Sequence, residues 1–146
     1  FKSYLEEARF KAVSNGKHYK VLMQNSGDDI TLKLYEPDSG NVKWRDLALN
    51  RRCGCYSGTG HSDTTCNNAF SNSALSSLTS ISDYDKTIDN IELVGCNNSS
   101  CSTETSPPIT LCFLYDGSSP SDAFFKLKGA GSFENIFKLN KTGYVE

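Results

Sequence analysis

The side chains best suited to covalent or metal chemistry in this 146-residue chain are six cysteines and two histidines. Cys53, Cys55, Cys66, Cys96, Cys101 and Cys112 are an even set spread through stretches rich in Ser, Asn and Gly. That distribution reads as disulfides made in an oxidising compartment, with the pairing left open. Cys53 and Cys55, one residue apart, would bond each other only with strain, so each is expected to have a distant partner. Cys96 and Cys101 can close a short loop. A zinc reading competes, because Cys53, Cys55, His61 and Cys66 fall within fourteen residues. Structural zinc sites space their ligand pairs by about two to four residues, which makes this the weaker reading.

Nothing in the chain composes a catalytic centre. His18 follows an opening helix, in a strand where Tyr19 and Lys20 are expected to be partly exposed. His61 lies two residues from Asp63. Serines are abundant, but no nucleophile-elbow pattern accompanies either histidine. Asp83, Asp85 and Asp89 could offer hard oxygen ligands to calcium, yet they lack the glycine and bidentate glutamate of an EF-hand loop. They read as a solvated acidic turn. No phosphate-binding glycine loop occurs, and neither enzymatic activity nor a cofactor is expected.

The elements that would carry these residues begin with a helix. Phe1, Leu5, Ala8 and Ala12 recur at steps of four, three and four, with Val13 beside them, and Lys2, Glu6, Glu7, Arg9 and Lys11 fill most other positions. This is an amphipathic helix of about four turns with one stripe to bury. Asn15-Gly16 supplies the left-handed geometry that ends it. His18 to Gln24 and Ile30 to Glu36 read as strands around the turn signal Ser26-Gly27-Asp28-Asp29. Pro37 to Gly40 is a turn, and Val42 to Leu49 is either a short strand or an irregular segment, anchored in the core by Trp44. Residues 50–80 form a long stretch with few large apolar groups, which in a compact domain implies function or stapling. A short helix or turn fits Asn72 to Leu78.

The β pattern resumes at Thr87, where Ile88, Ile91, Leu93 and Val94 make a strand. Ile109 to Tyr115 is apolar throughout, as expected of a central strand covered on both faces. Ala123 to Lys128 alternates, Ile136 to Asn140 follows a glycine turn, and Tyr144-Val145 closes the chain. The class is α+β: one N-terminal amphipathic helix packed on a mainly antiparallel sheet, or on two small sheets, in a single domain spanning residues 1–146.

A net charge of −2 argues against a dedicated nucleic-acid binder. Arg51, Arg52, Lys126, Lys128, Lys138 and Lys141 are the fallback DNA-contact patch, read more simply as charges that keep strand edges from aggregating. No apolar run of about eighteen residues occurs. The sequons at Asn97, Asn98 and Asn140 arise easily by chance in so Asn-, Ser- and Thr-rich a chain. Opening at Phe1 without an initiator Met suggests a processed or truncated piece.

Glu7-Ala8-Arg9 and Ala12 in the helix, the basic region after it, and the strand Tyr19-Lys20-Val21-Leu22-Met23 resemble the soluble part of type IV pilin-like proteins. The closest likeness is to GspH/FimT-type minor pseudopilins and minor pilins. The closing Ile136-Phe137-Lys138-Leu139-Asn140-Lys141-Thr142-Gly143-Tyr144-Val145 is similar to that family's last hairpin. The likeness covers the two ends and leaves the cysteine-rich middle unmatched. It implies a structural subunit whose helix continues upstream into an apolar segment, anchors in the inner membrane before assembly, and then packs against other pilin or pseudopilin subunits at the cell surface or in the periplasm. Phe1, Leu5, Ala8, Ala12 and Val13 would be the assembly helix. Some FimT-type members are thought to bind DNA through a C-terminal Gly-Arg-x-Arg. Here Gly143-Tyr144-Val145-Glu146 replaces both arginines, one of them by an acid, so DNA contact is not supported at that position. The competing class is a secreted adhesion module whose loops 50–80 and 96–108 recognise a sugar, a surface or another protein.

Overall fold

The computed structural model describes residues 1–37, 78–119 and 122–146. The chain opens with helix α1 (Lys2–Asn15), followed by strands β1 (Tyr19–Ser26) and β2 (Asp29–Pro37). Next come β3 (Leu78–Ser80), a 3-10 turn (Ser82–Tyr84), β4 (Lys86–Ile88), β5 (Ile91–Cys96) and β6 (Glu104–Thr105). The remaining strands are β7 (Ile109–Phe113), β8 (Ala123–Gly129) and β9 (Glu134–Leu139). All pairings among the described strands are antiparallel. One sheet runs β3-β2-β1-β7, with β4 sharing the outer edge of β2, and the second runs β6-β5-β8-β9.

Helix α1 ends where its sequence says it should. Gly16 takes φ +60°, and the Gly16 and Lys17 amides donate to the Val13 and Ala12 carbonyls at 3.3 and 3.2 Å. Its buried face is Tyr4, Leu5, Ala8 and Ala12, with Phe1 packed at the start. Val13 departs from the expected stripe and is 48% exposed. At about 100° per residue it falls past the edge of the face that Leu5, Ala8 and Ala12 define, and Tyr4 takes the vacant side.

The β1–β2 hairpin closes through Gly27-Asp28, with Ser26 opposite Asp29 and Gly27 at φ +64°. Tyr19, Val21 and Met23 share one face with Leu34, Leu32 and, across β7, Phe113, Leu111 and Ile109. Against this face lie both α1 and the inner residues of the second sheet, Leu93, Phe125, Leu127 and Leu139, in one buried cluster. Phe1 ties the helix to that second sheet, its ring 5.3 Å from Phe125 and 5.8 Å from Phe137.

Three expectations are corrected. The central strand of the first sheet is β1, flanked by β2 and β7, whereas β7 is outermost among the described strands. Every β7 residue is nonetheless buried, as its apolar run requires. Tyr19 and Lys20 are buried and not partly exposed, and His18 beside them is buried as well. A strand paired on both edges and covered on both faces buries whatever it carries. Finally, the segment from Thr87 to Val94 is two strands, not one. Asp89 and Asn90 make a corner, with Asn90 at φ +57°, so that β4 pairs β2 in the first sheet while β5 enters the second.

The two sheets are stitched at that corner. The Asn90 amide donates to Asp29 Oδ1 at 3.0 Å. The Asn25 side chain bonds the Leu93 main chain on both sides: Nδ2 donates to the carbonyl at 3.1 Å, and Oδ1 accepts from the amide at 2.9 Å.

Candidate assembly face of the helix

The geometry around α1 is set by small residues inside and long ones at the flanks. Ala8 and Ala12, almost wholly buried, let the helix axis approach β1 and β7 closely. Arg9 and Lys11, about 200° apart around the helix, reach down on opposite sides. Arg9 Nε donates to the Gly117 carbonyl at 3.1 Å, and its guanidinium sits 4.1 Å from the centre of the Tyr144 ring. Lys11 Nζ donates to the Tyr84 hydroxyl at 3.2 Å and lies 4.3 Å from that ring. Each cation uses a ring face and a hydrogen bond together, which fixes the roll of the helix on the sheet.

The outward flank is partly apolar. Phe10, diametrically opposite the buried stripe, is 70% exposed, and Val13 borders it. Tyr144, under Arg9, extends this surface towards the C-terminus and is also exposed. Lys2 and Glu6 form an i,i+4 pair at 4.0 Å on the same flank. Such a pair is worth about 0.3–0.5 kcal/mol and leaves the flank open. Of the five residues expected to form the assembly helix, Phe1, Leu5, Ala8 and Ala12 are therefore committed to the chain's own core. Only Val13 faces outward.

Three of the basic candidates, Lys126, Lys128 and Lys138, are matched with carboxylates. Lys126 and Lys128 share the outer face of the second sheet, where Glu104 meets both at 2.5 and 2.7 Å and Glu134 meets Lys126 at 3.4 Å. Hydrogen bonds from the two lysines hold the Glu104 carboxyl below its usual range, and Glu104 in turn raises the Lys126 ammonium. Lys138 pairs with Asp122 at 3.4 Å, and Lys141 lies exposed in the last turn. Arg51 and Arg52 lie outside the described residues.

At the C-terminus residues 144–146 fold back on β9. Lys138 and Glu146 exchange both main-chain hydrogen bonds, at 3.0 and 2.8 Å. The Glu146 carboxylate accepts from Asn140 Nδ2 at 2.9 Å. The two positions where arginines would read phosphate thus hold a phenol beneath Arg9 and a hydrogen-bonded acid.

Cys96 and Cys101 are joined in a disulfide, as the short loop between them allows, with a Cα–Cα distance of 4.7 Å. Cys112 is disulfide-bonded too. Cys53, Cys55 and Cys66 lie outside the described residues, as do His61, Asp63, the Trp44 segment and the proposed turn at Asn72. Asp83, Asp85 and Asp89 are exposed, and the described residues contain no group of three or more His, Cys, Asp or Glu placed to hold a metal ion.

A polar groove of about 420 Å³ runs between α1 and the 3-10 turn, lined by Ser3, Tyr4, Glu7, Asp83, Tyr84, Asp85 and Lys86. The Tyr4 hydroxyl is buried beside it without a hydrogen-bond partner among the described residues. Burial first, then the negative charges of Asp85 and Glu7, push this phenol well above its ordinary pKa.

Sequence reasoning missed Tyr4, Arg9, Lys11 and Asn25. Tyr4 was findable, since it stands four residues before Ala8 and completes the stripe. The other three act through partners far away in the chain, and local spacing carries no sign of them. No known protein family, characterised protein or solved structure matches the chain. No helix among the described residues is long and apolar enough to cross a membrane.

Proposed function

We propose that this chain is a minor pilin or pseudopilin, a structural subunit of a bacterial type IV pilus or type II secretion pseudopilus that assembles through α1. The observation that carries the reading is Phe10, 70% exposed on the helix flank that points away from the β domain. An ordinary surface helix puts charged or polar residues there. A helix seated by one stripe and apolar on the opposite side suits packing against neighbouring helices. The pinning of Arg9 and Lys11 supports the same reading, because it gives that flank a fixed direction. The partners are other subunits of the filament and, before assembly, the inner membrane, held by an apolar segment upstream of Phe1. The subunit works at the cell surface or in the periplasm by assembly, without turnover. Among the described residues, Lys126, Lys128 and Lys138 are each paired with a carboxylate, which does not favour a DNA-binding role for the second sheet.

The test uses the full-length gene product in its own cells. Phe10→Asp should leave the melting temperature of the β domain within a degree or two and the protein abundant, yet remove it from sheared surface filaments. Incorporation of that variant at the wild-type level would overturn the proposal. So would an ordinary signal peptide, cleaved away completely, in place of a hydrophobic helix of about twenty residues ahead of Phe1.

A further inference from the structure

We draw no further inference here: the strongest candidate, the polar groove between α1 and the 3-10 turn that Glu7, Asp83 and Asp85 rim, carries nothing, because the unpartnered Tyr4 hydroxyl beside it is closed off from the surface and three exposed carboxylates do not by themselves define a ligand.

Discussion

The amide of Asn25 serves Leu93 as a substitute neighbouring strand, giving its carbonyl a donor at 3.1 Å and its amide an acceptor at 2.9 Å. Asn25 belongs to the first sheet and Leu93 to the second, so one side chain closes a strand edge and joins the two layers. Asn25→Leu should strip both bonds and leave two main-chain groups without partners. A loss of about 2–4 kcal/mol follows, at about 1–2 kcal/mol for each orphaned group. Asn25→Asp keeps the acceptor alone and should fall between the two. Denaturant midpoints measure this, and equal stability of the wild type and the leucine variant would refute the substitute-strand role.

Gly117 and Gly143 meet face to face at φ +80° and +83°. A Cβ on Gly143 would overlap the Gly117 carbonyl, whereas one on Gly27, also left-handed at φ +64°, would meet nothing within 4 Å. Gly27→Ala should therefore cost only the conformational term of about 1–2 kcal/mol. Gly143→Ala should cost clearly more and release Tyr144 from Arg9. Faster amide exchange at Val145 and Glu146 would report that release. Equal costs for the two alanines would show that the contact is not tight.

Lys20 is buried, and burial lowers its ammonium to about 8. The unfolded chain keeps that proton up to about 10.4. Between those values the unfolded state binds more protons than the folded one, so stability rises with pH across that window. Tyr19 acts in the opposite sense. Its phenol is pushed up to about 12, chiefly by burial, so the unfolded state loses that proton first and stability falls above about pH 10. A maximum near pH 10 is expected in urea titrations. Lys20→Met should remove the group that titrates there and flatten the rising limb. A rising limb that survives this substitution would assign it to another group.

Glu104 sits between Lys126 and Lys128, and together with Glu134 it balances their two charges. The wild-type protein should not retard DNA in a mobility-shift assay even at low salt, where any phosphate contacts would be strongest. Glu104→Gln combined with Glu134→Gln should expose the two lysines and produce weak, salt-sensitive retardation. Retardation by the wild type at physiological salt would revive the nucleic-acid reading.

The helix and the first hairpin were legible because their punctuation is local. Asn15-Gly16 closes α1, and Gly27 turns β1 into β2. The Cys96–Cys101 loop was legible from spacing for the same reason. The division of residues 86–96 between two sheets was not. Ile88, Ile91, Leu93 and Val94 fit a single strand as well as two, and the corner at Asn90 depends on Asp29, far away in the chain. The polar types at Tyr19 and Lys20 suggest exposure, but their burial follows from the place of β1 between β2 and β7. Local composition reports what a strand would prefer, while its position in the sheet decides what it gets. The two sides of the helix were legible only in part: the spacing that identifies the buried stripe also places Val13 in it, and nothing local marks Phe10 as exposed on the far side.

The pairing of β1 with β7 has a kinetic consequence. Tyr19 meets Phe113, 94 positions later, so the strand at the middle of the first sheet stays half-paired until nearly four-fifths of the chain has been made. Closing so long a span costs entropy before any contact repays it, which places this domain among the slower folders. A ribosome-bound fragment ending before Ile109 would hold the helix and hairpin with their apolar faces unfilled, and it would depend on a holdase until the last quarter emerged.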